Sequence, residues 1–271
     1  LEFRRVLFRS SSSNNSTWTN ITGATGLTCS VTQLATTFYR CVITCTNSGQ
    51  QANSTSVQVI MNSFLPAGVY TINNTVPTNY PSGVNFNSFV EAVAVMGCGI
   101  GGAVTFNVAP GTYTEQVRIG NITGTSPTSR VTFQSANGNN SSVVLSFDAT
   151  NGANNYVLKL DSAKYITWSR MTITAINATN GRAIDLSNTV SFDSIVSCRV
   201  NAPVGTGTGN TVAGIYGNLS GTNNTLKGNT VFGGTQGIYV SGISTTQLTS
   251  TNIIDSNFVS GFNNKIGRAH V

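Results

Sequence analysis

The sequence predicts an all-β solenoid, closed as a right-handed parallel β-helix, and three observations predict it. A short phrase recurs as Trp168-x-x-Met171-x-Ile173, Ile195-x-x-Cys198-x-Val200, Leu226-x-x-Asn229-x-Val231 and Ile254-x-x-Asn257-x-Val259, with starts 27, 31 and 28 residues apart. Each copy follows a second phrase, Leu158-x-Leu160, Ile184-x-Leu186, Ile215-x-Gly217 or Ile238-x-Val240. Turns rich in Gly, Asn and Ser separate the two. A repeat of this length with two strand-like pieces is a solenoid signature. Strands stacked in register from successive repeats make parallel sheets, and alternation gives each sheet an inner and an outer face.

Taken in order, the chain begins and ends on segments set aside as non-native. Arg5–Ser10 and Ile266–Val271 can be encoded by opposite strands of one DNA word that resembles a sequencing-library adapter. Residues 1–10 and 266–271 are therefore excluded from fold reasoning. Residues 11–60 read as β, with Phe38–Cys45 and Thr55–Ile60 flanking a turn at Asn47-Ser-Gly49. Tyr39-x-Cys41 resembles the tyrosine corner of an immunoglobulin-like sandwich. That resemblance implies the carboxy-terminal part of such a domain over residues 11–60.

Residues 61–83 carry Pro66, Pro77 and Pro81 and read as a linker with one possible strand, Val69–Ile72. From Asn85 to Met96 the apolar residues Phe86, Phe89, Val90, Val93 and Ala94 fall at helical spacing. Ser88 or Asn87 is the expected N-cap and Gly97 the stop. A helix here would cap the unpaired edge and open core of the first rung. From Ala103 onward the pieces are strands. Val104, Phe106 and Val108 point inward, followed by Pro110-Gly111 and Tyr113-x-Glu115-x-Val117-x-Ile119.

Residues 84–265 look like the pectin-lyase-like parallel β-helices of large secreted bacterial surface proteins. The Pro-Gly-x-Tyr-x-Glu-x-Val run of residues 110–117 is similar to the first rung in several of those families, including pectin methylesterases. The resemblance implies a fold, an extracellular or cell-surface location and polysaccharide chemistry; it does not imply one reaction. Enzymes of this fold place carboxylates, or calcium-binding acids with a Lys or Arg, on one outer face. No two acids adjoin here, and neither the Gly-Asp-Asp stretch of polygalacturonases nor the Arg-Pro patterns of pectate lyases occurs.

Composition narrows the function further. The net charge of +6 falls to +3 when Glu2, Arg4, Arg5, Arg9 and Arg268 are set aside, and no Lys/Arg cluster remains to meet phosphates. The single histidine, His270, lies in a segment set aside, so His-dependent triads and metal sites are not expected. No apolar run is long enough to cross a bilayer. No catalytic residue, metal or cofactor is assigned.

One stripe remains as a candidate site. Lys159, Asp185, Tyr216 and Tyr239 take equivalent outward positions on consecutive rungs. Lys159 and Asp185 are expected to pair, and Tyr216 and Tyr239 to form an aromatic step of the kind on which sugar rings lie. Plain stacking on a sheet surface explains the same tyrosines. Asn229 and Asn257 are expected as a structural asparagine ladder with Cys198 as its packed earlier member. The sequence thus supports a non-catalytic extracellular or cell-surface β-helix that serves as a stalk or as a surface contacting a polysaccharide or surface glycan. A polysaccharide lyase or hydrolase with its active rung partial or missing is the alternative.

Overall fold

The computed structural model describes residues 5–26, 28–33, 35–60, 64–204 and 209–263. The adapter-like segment 266–271 lies outside the described residues. Two compact units divide at residue 63.

In the first unit, Thr37–Cys45 is the central strand of an antiparallel sheet. It pairs with Arg5–Ser12 on one side and with Gln51–Asn53 and Val57–Val59 on the other. The segment set aside as non-native thus supplies most of a strand. An open sheet edge accepts any β-prone segment through backbone bonds, and Val6-Leu7-Phe8 is β-prone whatever its origin. Val57 and Val59 are both exposed. The Tyr39 hydroxyl donates to the Gln33 side chain at 3.4 Å.

The second unit is a coil of three parallel sheets. The first sheet stacks Gly68–Ile72, Val104–Val108, Val131–Ser135, Ile166–Ser169, Ser194–Val196, Thr225–Lys227 and Ile253–Asp255, with Asn85–Phe86 at its edge. The second runs from Gly111–Thr114 through Val143–Phe147, Thr172–Ala175, Arg199–Asn201 and Thr230–Phe232 to Phe258–Ser260. The third comprises Val117–Ile119, Leu158–Asp161, Gly181–Asn188, Val212–Leu219 and Gln236–Ser241. From Val104–Val108 onward the chain visits the sheets in that order, which makes a parallel β-helix. Within residues 61–83 the strand expected at Val69–Ile72 forms as Gly68–Ile72, paired parallel to Val104–Val108. Prolines at 66, 77 and 81 flank that strand and never enter it, so they cost the ladder no donor.

The register repeats the sequence phrases. Trp168 pairs with Ile195, Ile195 with Leu226, and Leu226 with Ile254. Inside the coil Phe106, Phe133 and Trp168 stack with successive ring centroids 4.8 Å apart, one rung spacing. All three are fully buried, each worth roughly 1.5–3 kcal/mol. Trp168 is therefore core. Ile254, expected inside with them, is 41% exposed, because its rung is the last described in this sheet and nothing described lies over it.

The expected helix spans Phe89–Val95, shorter than the apolar spacing suggested, because Asn85–Phe86 is drawn into the first sheet. Ser88 is its N-cap, accepting the Glu91 N–H at 3.1 Å. Helical turns continue past Gly97 and stop at Gly99, whose φ of 103° suits glycine. The helix buries Phe89 and Ala92, and the Phe89 ring lies 5.3 Å from that of Trp168. Tyr113 to Ile119 does not form one strand. It breaks at Glu115 and Gln116, where the chain turns from the second sheet to the third. At that corner the Glu115 carboxylate accepts the Phe89 and Val90 N–H groups at 3.2 and 2.9 Å. Burial raises its pKa, against those two bonds.

Candidate functional site

The outer face of the third sheet holds the nominated stripe. Register pairs Arg118 with Lys159, Lys159 with Asp185, Asp185 with Tyr216, and Tyr216 with Tyr239. The inward neighbours Leu158, Leu160, Ile184, Leu186 and Ile215 are buried, so alternation sends the stripe outward.

Asp185 organises this face. It is 3% exposed, yet three partners meet its carboxylate. Arg182 Nη1 donates to Oδ2 at 2.7 Å, Ser187 Oγ donates to Oδ1, and Lys159 Nζ stands 4.0 Å from Oδ1. A buried carboxylate needs such compensation, and the three partners provide it. Arg182 is itself pinned: Nε donates to the Asn210 carbonyl at 2.8 Å, and its guanidinium lies 3.7 Å from the Tyr216 ring centroid. The Lys159 ammonium is the loosest member: it has the 4.0 Å approach to Asp185 and a 5.7 Å contact with the Tyr156 ring, and its charge also acts on Asp161.

The tyrosines stack as the register requires, with centroids 5.4 Å apart and planes at 9°. They do not form the expected open step. Tyr216 is only 9% exposed, with Arg182 over its ring, Tyr239 stacked on it, and its hydroxyl accepting from Asn210 Nδ2 at 3.0 Å. Burial raises its pKa, opposed by Arg182. A sugar cannot lie on a ring so covered, so Tyr216 serves as wall and support.

These residues enclose an outward-opening basin of about 420 Å³. Lys159, Arg182, Asp185 and Tyr216 line one part of it; Ser187, Asn188, Asn218 and Ile243 line the rest. The volume falls within the roughly 300–1,000 Å³ of small-ligand sites. Beside the basin, Asp161 binds Arg118 at 2.5 Å and accepts from Asn188 Nδ2 at 2.5 Å. Burial pushes the Asp161 pKa up, but those bonds outweigh it and leave the carboxyl below its ordinary value. Among the described residues no three His, Cys, Asp or Glu side chains gather where a metal ion could be held.

The structure therefore brings three of the four nominated residues, Lys159, Asp185 and Tyr216, to one basin, with Tyr239 behind Tyr216. Sequence reading missed Arg182, Asn188 and Asn218. Asn218 lay in view, two residues beyond Tyr216 on the same face. Arg182 did not, because its parity with Ile184 predicts an inward side chain. Ala183 and Ile184 are both fully buried, so alternation slips by one and Arg182 emerges outside.

The ladder is present and double. At the corner between the first and second sheets, Asn229 Oδ1 accepts the Cys198 N–H and Asn257 Oδ1 accepts the Asn229 N–H, both at 2.9 Å. Asn229 Nδ2 donates to the Ile195 carbonyl at 2.9 Å and Asn257 Nδ2 to that of Leu226 at 2.7 Å. A second ladder, unread in the sequence, runs five residues earlier through Asp193, Asn224 and Asn252. Its signal was a polar residue two places before Ile195, Leu226 and Ile254. Both ladders follow corners in the left-handed region, as at Phe192, Asn223 and Thr251, and at Ser197, Gly228 and Ser256.

No family model matches this chain, and no curated protein matches it. Among solved structures it is similar to a crystal structure of pectin methylesterase in complex with hexasaccharide VII, at 12% identity and a TM-score of 0.38. The match covers 64% of this chain and 60% of that one, so the chain spans less than two thirds of that protein. A match at this level assigns no activity.

Proposed function

We propose that this chain is an extracellular or cell-surface β-helix that contacts a polysaccharide or surface glycan through the third-sheet basin, without catalysing a reaction on it. The observation that carries this reading is the basin itself, where a rigid sheet fixes Asp185, Arg182 and Tyr216 while other polar groups stay available. The Lys159 ammonium has no carboxylate closer than 4.0 Å, and the exposed Asn218 side chain has no hydrogen bond among the described residues. Hydroxyl-rich ligands need such pre-placed donors and acceptors over a fixed floor.

Binding is favoured over catalysis by the state of the carboxylates. Glycoside hydrolysis requires one carboxyl kept protonated as acid. Asp161 is held on the ionised side by Asn188 and Arg118, and Asp185 is saturated by Arg182, Ser187 and Lys159. Asp161 is therefore not poised to give up a proton, and both oxygens of Asp185 already have partners. A microarray of plant, algal and bacterial polysaccharides tests the reading. Lys159→Met and Asn218→Ala should each weaken the wild-type signals at least tenfold, and Asn218→Ala, which breaks no bond to the Asp185 cluster, should do so with thermal unfolding unchanged. Signals that survive both substitutions would remove the basin as the site.

A further inference from the structure

We propose that Asp193 is carried in the folded coil as a neutral carboxylic acid standing in for a ladder asparagine, so that its ionisation loosens the coil at this rung. The warrant is a rule the neighbouring rungs obey. Each ladder side chain accepts the backbone N–H of the preceding ladder position and donates to the carbonyl three residues before that position. Asn224 Nδ2 donates to the Val190 carbonyl at 2.8 Å, Asn229 Nδ2 to Ile195 and Asn257 Nδ2 to Leu226. Cys198 carries a thiol in the place of the amide, its Sγ 3.7 Å from the Trp168 carbonyl of the ladder slot and 3.4 Å from the Val196 carbonyl, and burial pushes that thiol up to about 11. Asn252 obeys through a relay: its amide donates to Thr249 Oγ1 at 2.5 Å, which donates to the Gly221 carbonyl at 2.7 Å.

Asp193 satisfies the accepting half of the rule. Its Oδ1 takes the Ile166 N–H at 2.6 Å, and its own N–H goes to Asn224 Oδ1 at 3.1 Å. Its Oδ2 is buried with no hydrogen-bond partner among the described residues. By the same spacing this oxygen belongs to the donor slot facing the Ala163 carbonyl, where a carboxylate would set lone pair against lone pair. A carboxylic O–H fills the slot as the amide does.

The surroundings supply little to hold the charged form. Arg130 is the cation whose field reaches the carboxyl, but its guanidinium is spent on the Phe192 carbonyl at 2.8 Å, on Thr167 Oγ1 at 3.1 Å and on Ser194 Oγ. Lys164 on the same corner is exposed, and Tyr165 is stacked on Phe192. On the following strands Lys227 and Asp255 pair with each other at 3.1 Å. Burial accordingly pushes the Asp193 carboxyl up to about 7, against the Ile166 N–H and Arg130. A pKa raised by folding contributes stability that is full below the unfolded value of about 3.9 and is lost as pH rises through about 7.

Two measurements on the intact chain test this. Carbon-13 NMR of aspartate carboxyls should show one group titrating above about pH 6, well beyond the ordinary aspartate value of about 3.9, and absent from Asp193→Asn. The urea midpoint of wild type should fall between pH 5 and 8.5, whereas that of Asp193→Asn should stay level and exceed wild type at pH 8.5. A carboxyl that ionises in the ordinary range, or an Asp193→Asn protein with the wild-type pH profile, would overturn the proposal. Should the variant not fold, the wild-type titration alone decides.

Discussion

Replacing Asn229 by alanine probes the inner ladder where it is most buried. Asn229 is 1% exposed and its side chain makes three bonds of 2.9 Å: from the Cys198 N–H, to the Ile195 carbonyl and to Asn257 Oδ1. Truncation deprives the buried Cys198 N–H and Ile195 carbonyl of their side-chain partner at once. Each unsatisfied buried group costs about 1–3 kcal/mol, giving a loss of roughly 2–6 kcal/mol. Urea unfolding followed by far-ultraviolet circular dichroism measures it as a lowered midpoint with unchanged slope. Asn257→Ala is the matched control. It removes the equivalent side chain from the half-buried last rung, where water can replace it, and should cost less than half as much. A loss below about 0.5 kcal/mol at Asn229, of the size of an ordinary surface substitution, would refute the claim that the ladder holds this corner together.

Four further outcomes follow from the same geometry. Asp185→Ala strands Arg182 and Lys159 without their counter-charge and should destabilise by about 3–5 kcal/mol in urea unfolding, the range for breaking a buried pair. Gly221→Ala places a Cβ 1.6 Å from the Val190 carbonyl, the acceptor of the second ladder, and should cost at least about 1–3 kcal/mol in the same assay. Tyr216→Phe removes only the hydroxyl that accepts from Asn210, so about 1 kcal/mol should be lost with the ring stack intact by near-ultraviolet circular dichroism. Glu115→Ala uncaps two N–H groups at the start of the helix and should cost about 0.5–2 kcal/mol.

The rungs, their register and the inner stripe were legible because apolar side chains recur at fixed offsets, and parallel stacking turns equal offsets into contacts. The ladder at Asn229 and Asn257 was legible for the same reason. The ladder at Asp193 was not, since its members are an acid and two amides in front of the repeated phrase, and only the bonds reveal them as equivalent. The strand at Gly68–Ile72 is only partly legible, because the flanking prolines mimic a linker. At the basin, the pairing of Lys159 with Asp185 and the stacking of Tyr216 on Tyr239 could be read from register alone. The exposure of the tyrosines could not. It depends on Arg182, displaced outward by the slip at Ala183, and on Asn210, which reaches Tyr216 from a loop outside the repeat.

The central claim is that a glycan rests in the third-sheet basin, and a crystal structure with an oligosaccharide from the strongest array signal tests it most directly. Saccharide density is expected over the third sheet, with hydroxyls within hydrogen-bond distance of Lys159 and Asn218 and the Asp185, Arg182 and Tyr216 cluster unmoved beneath. Saccharide bound elsewhere on the coil, with the basin left to solvent, would contradict it.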